Sequence, residues 1–160
     1  MPVVPKRFGT DLQLLRNLDQ RKSSRDPGND LATIFTRRRP DISTVDLETL
    51  SNTDNLIQAL FLRFLTPQGE LAVLGHPDYG SRLGDLIGEL NNETTRNRAK
   101  LFVLEAIAAE PRVKEVRSVL VTQNKSDRTR MDIIASLMTI DSNTPLNLVF
   151  PFFLEGGPTQ

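Results

Sequence analysis

A chain of 160 residues is long enough to bury one sizeable core, and a single domain is the expectation. Twenty Lys and Arg balance twenty Asp and Glu, so no net field draws it to nucleic acid or to an anionic membrane. Cysteine is absent, which excludes disulfides, thiol nucleophiles and Cys-bound metals, and no apolar run approaches the roughly 20 residues that span a bilayer.

The N-terminus, Met1-Pro2-Val3-Val4-Pro5-Lys6-Arg7, lacks the apolar run of a signal peptide, so assembly in the cytoplasm is expected. Residues 1–50 read as an N-terminal extension with loops. Leu12, Leu14, Leu15 and Leu18 suit a short strand or helical turn docked on the core. Arg21 to Asp30 is polar and turn-rich, and reads as an exposed loop. Leu31, Ile34 and Phe35 make a small apolar patch ahead of Arg37-Arg38-Arg39-Pro40. That triplet lacks the interleaved aromatics of a base-stacking platform, so it reads as a solvated turn or a protein contact.

A packed core domain is expected over residues 51–153. Thr53 or Asp54 can cap a first helix whose buried face is Leu56, Ile57, Leu60, Phe61 and Phe64. Thr66-Pro67-Gln68-Gly69 ends it in a turn. Gly75-His76-Pro77-Asp78-Tyr79-Gly80 reads as a structural loop, its glycines admitting backbone angles that other residues resist. Ser81 suits the cap of a second helix carrying Leu83, Leu86, Ile87 and Leu90. Asn91-Asn92 breaks that helix, and a third starts at Glu93 or Thr94 with Ala99, Phe102, Val103, Ala106 and Ile107 on its apolar face. It stops near Glu110, because Pro111 disfavours the helical conformation of its predecessor.

The last third changes period. Strands are predicted at 116–121, 131–140 and 146–151, joined by the polar loop Gln123 to Thr129 and the turn Asp141 to Pro145. Pro151 confines the last strand to an edge. Residues 154–160 read as a loose tail. The expected architecture is an α+β domain of about three helices packed on a small antiparallel β-meander.

Catalytic chemistry finds little support. His76 beside Asp78 has the residue types of a general base, but no triad order or second metal ligand accompanies it. A structural role within its loop is the simpler reading. Glu70, Asp78, Asp85, Glu93 and Glu110 could supply an acid and base pair, yet one tyrosine and no tryptophan leave few platforms for a sugar. The glycines at 75, 80, 84 and 88 form no phosphate-binding loop. No cofactor and no metal are expected. Glu110-Pro111-Arg112 differs, because Pro111 pins a carboxylate and a guanidinium where helix gives way to strand. They suit either a salt bridge at the helix end or a bidentate grip on a partner.

Four blocks carry a resemblance: Asn55-Leu56-x-Gln58-Ala59-Leu60-x-Leu62-Arg63, Thr66-Pro67-x-Gly69-Glu70-Leu71, Gly75-His76-Pro77-x-Tyr79-Gly80-Ser81-Arg82-Leu83 and Glu110-Pro111-Arg112. Together they resemble the small baseplate wedge subunit of contractile phage tails, extracellular contractile injection particles and type VI secretion baseplates. Asn147-Leu148-Val149-Phe150-Pro151-Phe152 is similar to that family's last strand. Asp54 departs from the glycine that many members carry before the first block.

The resemblance implies a structural part of a phage tail or tail-like particle, and no enzyme. By that likeness Glu110, Pro111 and Arg112 contact the helical core of the wedge. The strands, with Asn147, Leu148, Val149 and Phe150 foremost, meet the sheath protein by strand addition and template its polymerisation. The implied partners are other baseplate wedge proteins and sheath, with roughly six copies in a ring and neither nucleic acid nor inserted membrane. Some members carry the label tail lysozyme. The alternative is therefore a tail-associated peptidoglycan hydrolase, a muramidase.

Overall fold

The computed structural model describes residues 8–15, 33–39 and 42–155. Within them the elements run β1 (Thr10–Leu12), β2 (Thr33–Arg39), β3 (Ile42–Leu47), β4 (Thr49–Ser51), α1 (Thr53–Leu65), α2 (Glu93–Ala108), β5 (Val113–Gln123), β6 (Arg130–Thr139) and β7 (Leu146–Phe153). Leu18, the loop expected over 21–30, Leu31 and residues 156–160 lie outside the described residues. So do the side chains of Arg37, Arg38 and Arg39.

The strands make three antiparallel sheets: β1 with β4, β2 with β3, and β5-β6-β7. Alternation decides which side of the third sheet is buried. Val119 on β5, Met131, Ile133, Ala135 and Leu137 on β6, and Leu148, Phe150 and Phe152 on β7 all join the core. The helices cover that face. α2 buries Ala99, Phe102, Val103, Ala106 and Ile107, the stripe that its spacing predicts. Its start is fixed by Asn92, whose side chain accepts the Thr95 amide at 2.9 Å.

α1 buries Leu56, Leu60 and Phe64 one turn apart. The rings of Phe61 and Phe64 lie 5.1 and 5.3 Å from that of Phe150, so an aromatic trio joins α1 to β7. Polar residues of α1 hold the N-terminal segment. Asn55 Nδ2 donates to the Phe8 carbonyl at 2.6 Å, and Gln58 donates to Leu12 O at 2.7 Å while accepting the Leu14 amide at 2.8 Å. The expected docking of this segment is thus made through hydrogen bonds as much as through leucines. The helix start differs from expectation, since Asn52 precedes it at a positive φ of 58° without a side-chain cap bond. Thr66 is extended ahead of Pro67, and the helix stops there.

The expected count of about three helices on one meander is corrected: there are two α-helices and seven strands among the described residues. Where the second helix was expected, the chain makes only a 3-10 turn over Leu83–Leu86. Leu83 and Leu86 are fully buried, but Ile87 and Leu90 point to solvent. Gly84 and Gly88 explain this, since each glycine costs about 1 kcal/mol in a helix interior. Gly88 takes φ 92° and its amide donates to Leu154 O, which turns the chain off the helical path. Leu154 is buried in consequence.

The second correction lies before residue 52. Stretches that read as loops and a patch are strands, of which β2 and β3 form a separate ribbon. Thr33 opposes Leu47, and Phe35 opposes Val45, so the apolar residues alternate across the pair.

Candidate functional site

The sequence offers two candidate surfaces, and the first is assembled where α2 ends. Glu110 follows the last turn of α2, at the negative end of the helix dipole, where a carboxylate is disfavoured without a cation. It is only 6% exposed. Arg112 Nε donates to Glu110 Oε1 at 2.6 Å, and the Arg112 amide reaches the same oxygen at 3.4 Å. Arg63, from the last turn of α1, brings Nη2 to 3.8 Å from Glu110 Oε2. Burial by itself raises the pKa of this carboxyl. The Arg112 hydrogen bond and charge, with the charge of Arg63, outweigh that and hold it below its ordinary value. The Glu110-Arg112 pair is therefore an intramolecular salt bridge, with Arg112 left partly exposed. Arg63 is the member that reading for chemistry passed over. Its signal was a charged residue on the helical face that also carries Leu56, Leu60 and Phe64.

The loop with Gly75, His76, Pro77, Tyr79 and Gly80 is joined to this cluster through Tyr79. The Arg63 guanidinium carbon stands 4.5 Å from the centre of the Tyr79 ring. Gly80, at φ 110°, permits the approach: a Cβ there would lie 2.6 Å from Thr66 O and 2.7 Å from Pro67 O. The Ser81 amide donates to Thr66 O and its hydroxyl to Phe64 O, both at 2.9 Å, so the loop base is tied to the end of α1. His76 is exposed, and its backbone accepts the Tyr79 amide and donates to Leu71 O. Val73 and Leu74, in the 3-10 turn Ala72–Leu74 that precedes this loop, project into solvent.

The second surface is β7. It borders β6 on one side only, so its other edge has no strand among the described residues. No residue from Leu146 to Phe153 is charged. Leu148 and Phe150 point into the core, whereas Asn147 and Val149 face outward. On that outer face Leu120, Ile134 and Val149 stand directly opposite one another across three strands, all exposed. This row gives the face an apolar centre. On the side towards the β5–β6 loop, the charges of Arg130 and Asp132 are paired at 2.7 Å.

The carboxylates singled out above do not converge as a set. Glu93 and Glu110 sit at opposite ends of α2, on the order of 24 Å apart at 1.5 Å per residue. Asp85 is paired with Arg82 at 3.2 Å, and Glu70 and Asp78 are exposed in the loop. Among the described residues no group of three or more His, Cys, Asp or Glu could hold a metal ion. No helix among them is long and apolar enough to cross a membrane.

No family model and no curated protein matches the sequence. The fold matches the crystal structure of a Geobacter sulfurreducens protein provisionally named a tail lysozyme. The TM-score is 0.57 at 30% sequence identity, and the match covers 68% of this chain and 97% of that one. At that identity, over nearly the whole of the relative, common descent accounts for the shared fold. The chain belongs to the family of that Geobacter tail protein.

Proposed function

We propose that the chain is a structural baseplate wedge component of a contractile injection machine, linking the wedge core to the first sheath ring and templating sheath assembly. The observation that carries this reading is the open, uncharged edge of β7. Edge strands are ordinarily guarded by lysines, bulges or covering elements, because bare main-chain groups recruit other strands. Among the described residues the guard in β7 is Pro151 alone, and Asn147 to Phe150 are left for a sheath strand to pair with. The mechanism is geometric. α1 and α2 fix the orientation of the sheet, and main-chain hydrogen bonds to the neighbour supply the affinity.

The kinship with a provisionally named tail lysozyme supports a tail location, and the name supplies the rival reading of a peptidoglycan hydrolase. Zymography on the purified chain separates the two, with no cleared zone expected. Val149→Lys tests the docking role, since Val149 is exposed and its replacement leaves the core intact. Particles from that variant, counted by electron microscopy, are expected to carry baseplates without sheath. Sheathed particles in wild-type number would overturn the reading.

A further inference from the structure

Two surface features lie at opposite ends of α2, and each has what the other lacks. The first is the segment from Thr66 to Ser81. Its base is fixed by the Gln68 amide, which donates to Ser81 O at 3.0 Å, and the Gly69 amide, which donates to Tyr79 O at 3.2 Å. Beyond that base the 3-10 turn Ala72–Leu74 holds Val73 94% and Leu74 71% exposed. Apolar side chains on a hydrogen-bonded turn are ordered before contact, so docking them costs little further entropy. No Lys or Arg occurs from Thr66 to Ser81. Glu70 and Asp78, on either side of the turn in sequence, are exposed and without a salt bridge among the described residues. The turn is thus an apolar knob in an acidic frame.

The second feature is a cleft of about 710 Å³ between the segment that enters α2 and the β5–β6 loop. Leu90 and Leu154 give it apolar walls. Arg128 lines it too, exposed and with its guanidinium unpaired among the described residues. The carboxylates of the cleft are already engaged, Glu89 by Arg98 and Glu155 by a contact of its own. The cleft therefore offers apolar surface and one spare cation. We propose that the knob of one copy of this chain enters the cleft of a second copy, bringing Arg128 against Glu70 and Asp78. A chain cannot fill its own cleft. The base of the knob is tied to the end of α1, which meets Glu110, whereas the cleft includes Asn92, and α2 separates the two by about 24 Å at 1.5 Å per residue. Each copy gives one knob and receives one, a head-to-tail contact that propagates into a ring or a filament.

Analytical ultracentrifugation of the purified full chain tests this. Wild type is expected to form species larger than a dimer as concentration rises. The double variant Val73→Ser, Leu74→Ser loses the knob and Arg128→Glu loses the cleft, and each should weaken self-association at least about tenfold. All three residues are exposed, so both variants should melt as wild type does. Mixed together, the two should form a one-to-one dimer and nothing larger, because one keeps its cleft and the other its knob. Wild type that stays monomeric up to about 200 µM would overturn the proposal. A mixture that gives no dimer, or assembles beyond one, would overturn it as well. Sheath docking at β7 is untouched by either result, since neither feature includes Asn147 to Phe150.

Discussion

Arg63 and Glu110 face each other across the junction of the two helices, with 3.8 Å between Nη2 and Oε2. The ends of α1 and α2 are thereby tied through one buried carboxylate, to which Arg112 adds the shorter bond. Removing that carboxylate leaves two guanidiniums without a counterion. Glu110→Gln is therefore expected to destabilise the chain by about 3 kcal/mol, measured by urea unfolding at neutral pH. An unchanged midpoint would show that the cluster contributes nothing to folding.

The pH dependence follows from the same contacts. The folded carboxyl ionises below its ordinary value of 4.5, so the unfolded chain binds the proton more tightly. The stabilisation is fully present above about pH 4.5 and fades as pH falls through the lower folded value. Urea midpoints of wild type and Glu110→Gln should differ by a constant amount from pH 7 to 5 and converge on further acidification. A gap that persists at low pH would contradict the assignment.

Gly80 and Gly84 give a paired test of the loop. Gly80→Ala forces a Cβ against two carbonyl oxygens at positive φ, and should cost at least about 2 kcal/mol. Gly84 has open space around its Cβ direction, and Gly84→Ala is expected to be neutral or slightly stabilising. Thermal melting of the two variants decides it. Equal effects would mean that Gly80 is not a close-contact position.

The aromatic junction predicts a larger loss. Phe150 is buried between Phe61 and Phe64, so Phe150→Ala should lower stability by about 3–5 kcal/mol. Val149, its outward-facing neighbour, should tolerate lysine within about 0.5 kcal/mol. Denaturant midpoints for the two variants would be nearly equal if the facing of β7 were assigned the wrong way.

The β2–β3 ribbon stands apart from the core. Phe35 is 78% exposed, and so is its cross-strand partner Val45 at 60%. Two-stranded ribbons are marginal in water, so amide exchange over Thr33–Arg39 and Ile42–Leu47 should be fast compared with β6. Phe35→Ser should leave the melting temperature of the core unchanged. Protection in the ribbon equal to that of β6 would refute this.

Periodicity carried the parts of the fold in which one residue pattern admits one conformation. α2 has five apolar residues at helical spacing, and β5 to β7 alternate over long stretches. The segment from Ser81 to Leu90 has helical spacing too, but two glycines override it, and the leucines that the turn does bury are the first two alone. β1 was expected only as a short strand or helical turn, and its place is set by Gln58, a partner distant in sequence that no local pattern announces. β2, β3 and β4 were not expected, since an exposed ribbon and a three-residue strand leave no buried alternation to read. The pairing of Glu110 with Arg112 was legible because only Pro111 lies between them. Arg63 was not, since it stands 47 positions before Glu110 and only the packing of two helices brings them together.

The claim on which the rest depends is that β7 is an edge held open for another chain. Density from cryo-electron microscopy of the assembled particle tests it most directly. A sheath strand is expected to run alongside Asn147 to Phe150, hydrogen-bonded to the main chain. An assembled particle in which that edge faces solvent, with sheath attached elsewhere, would contradict the account.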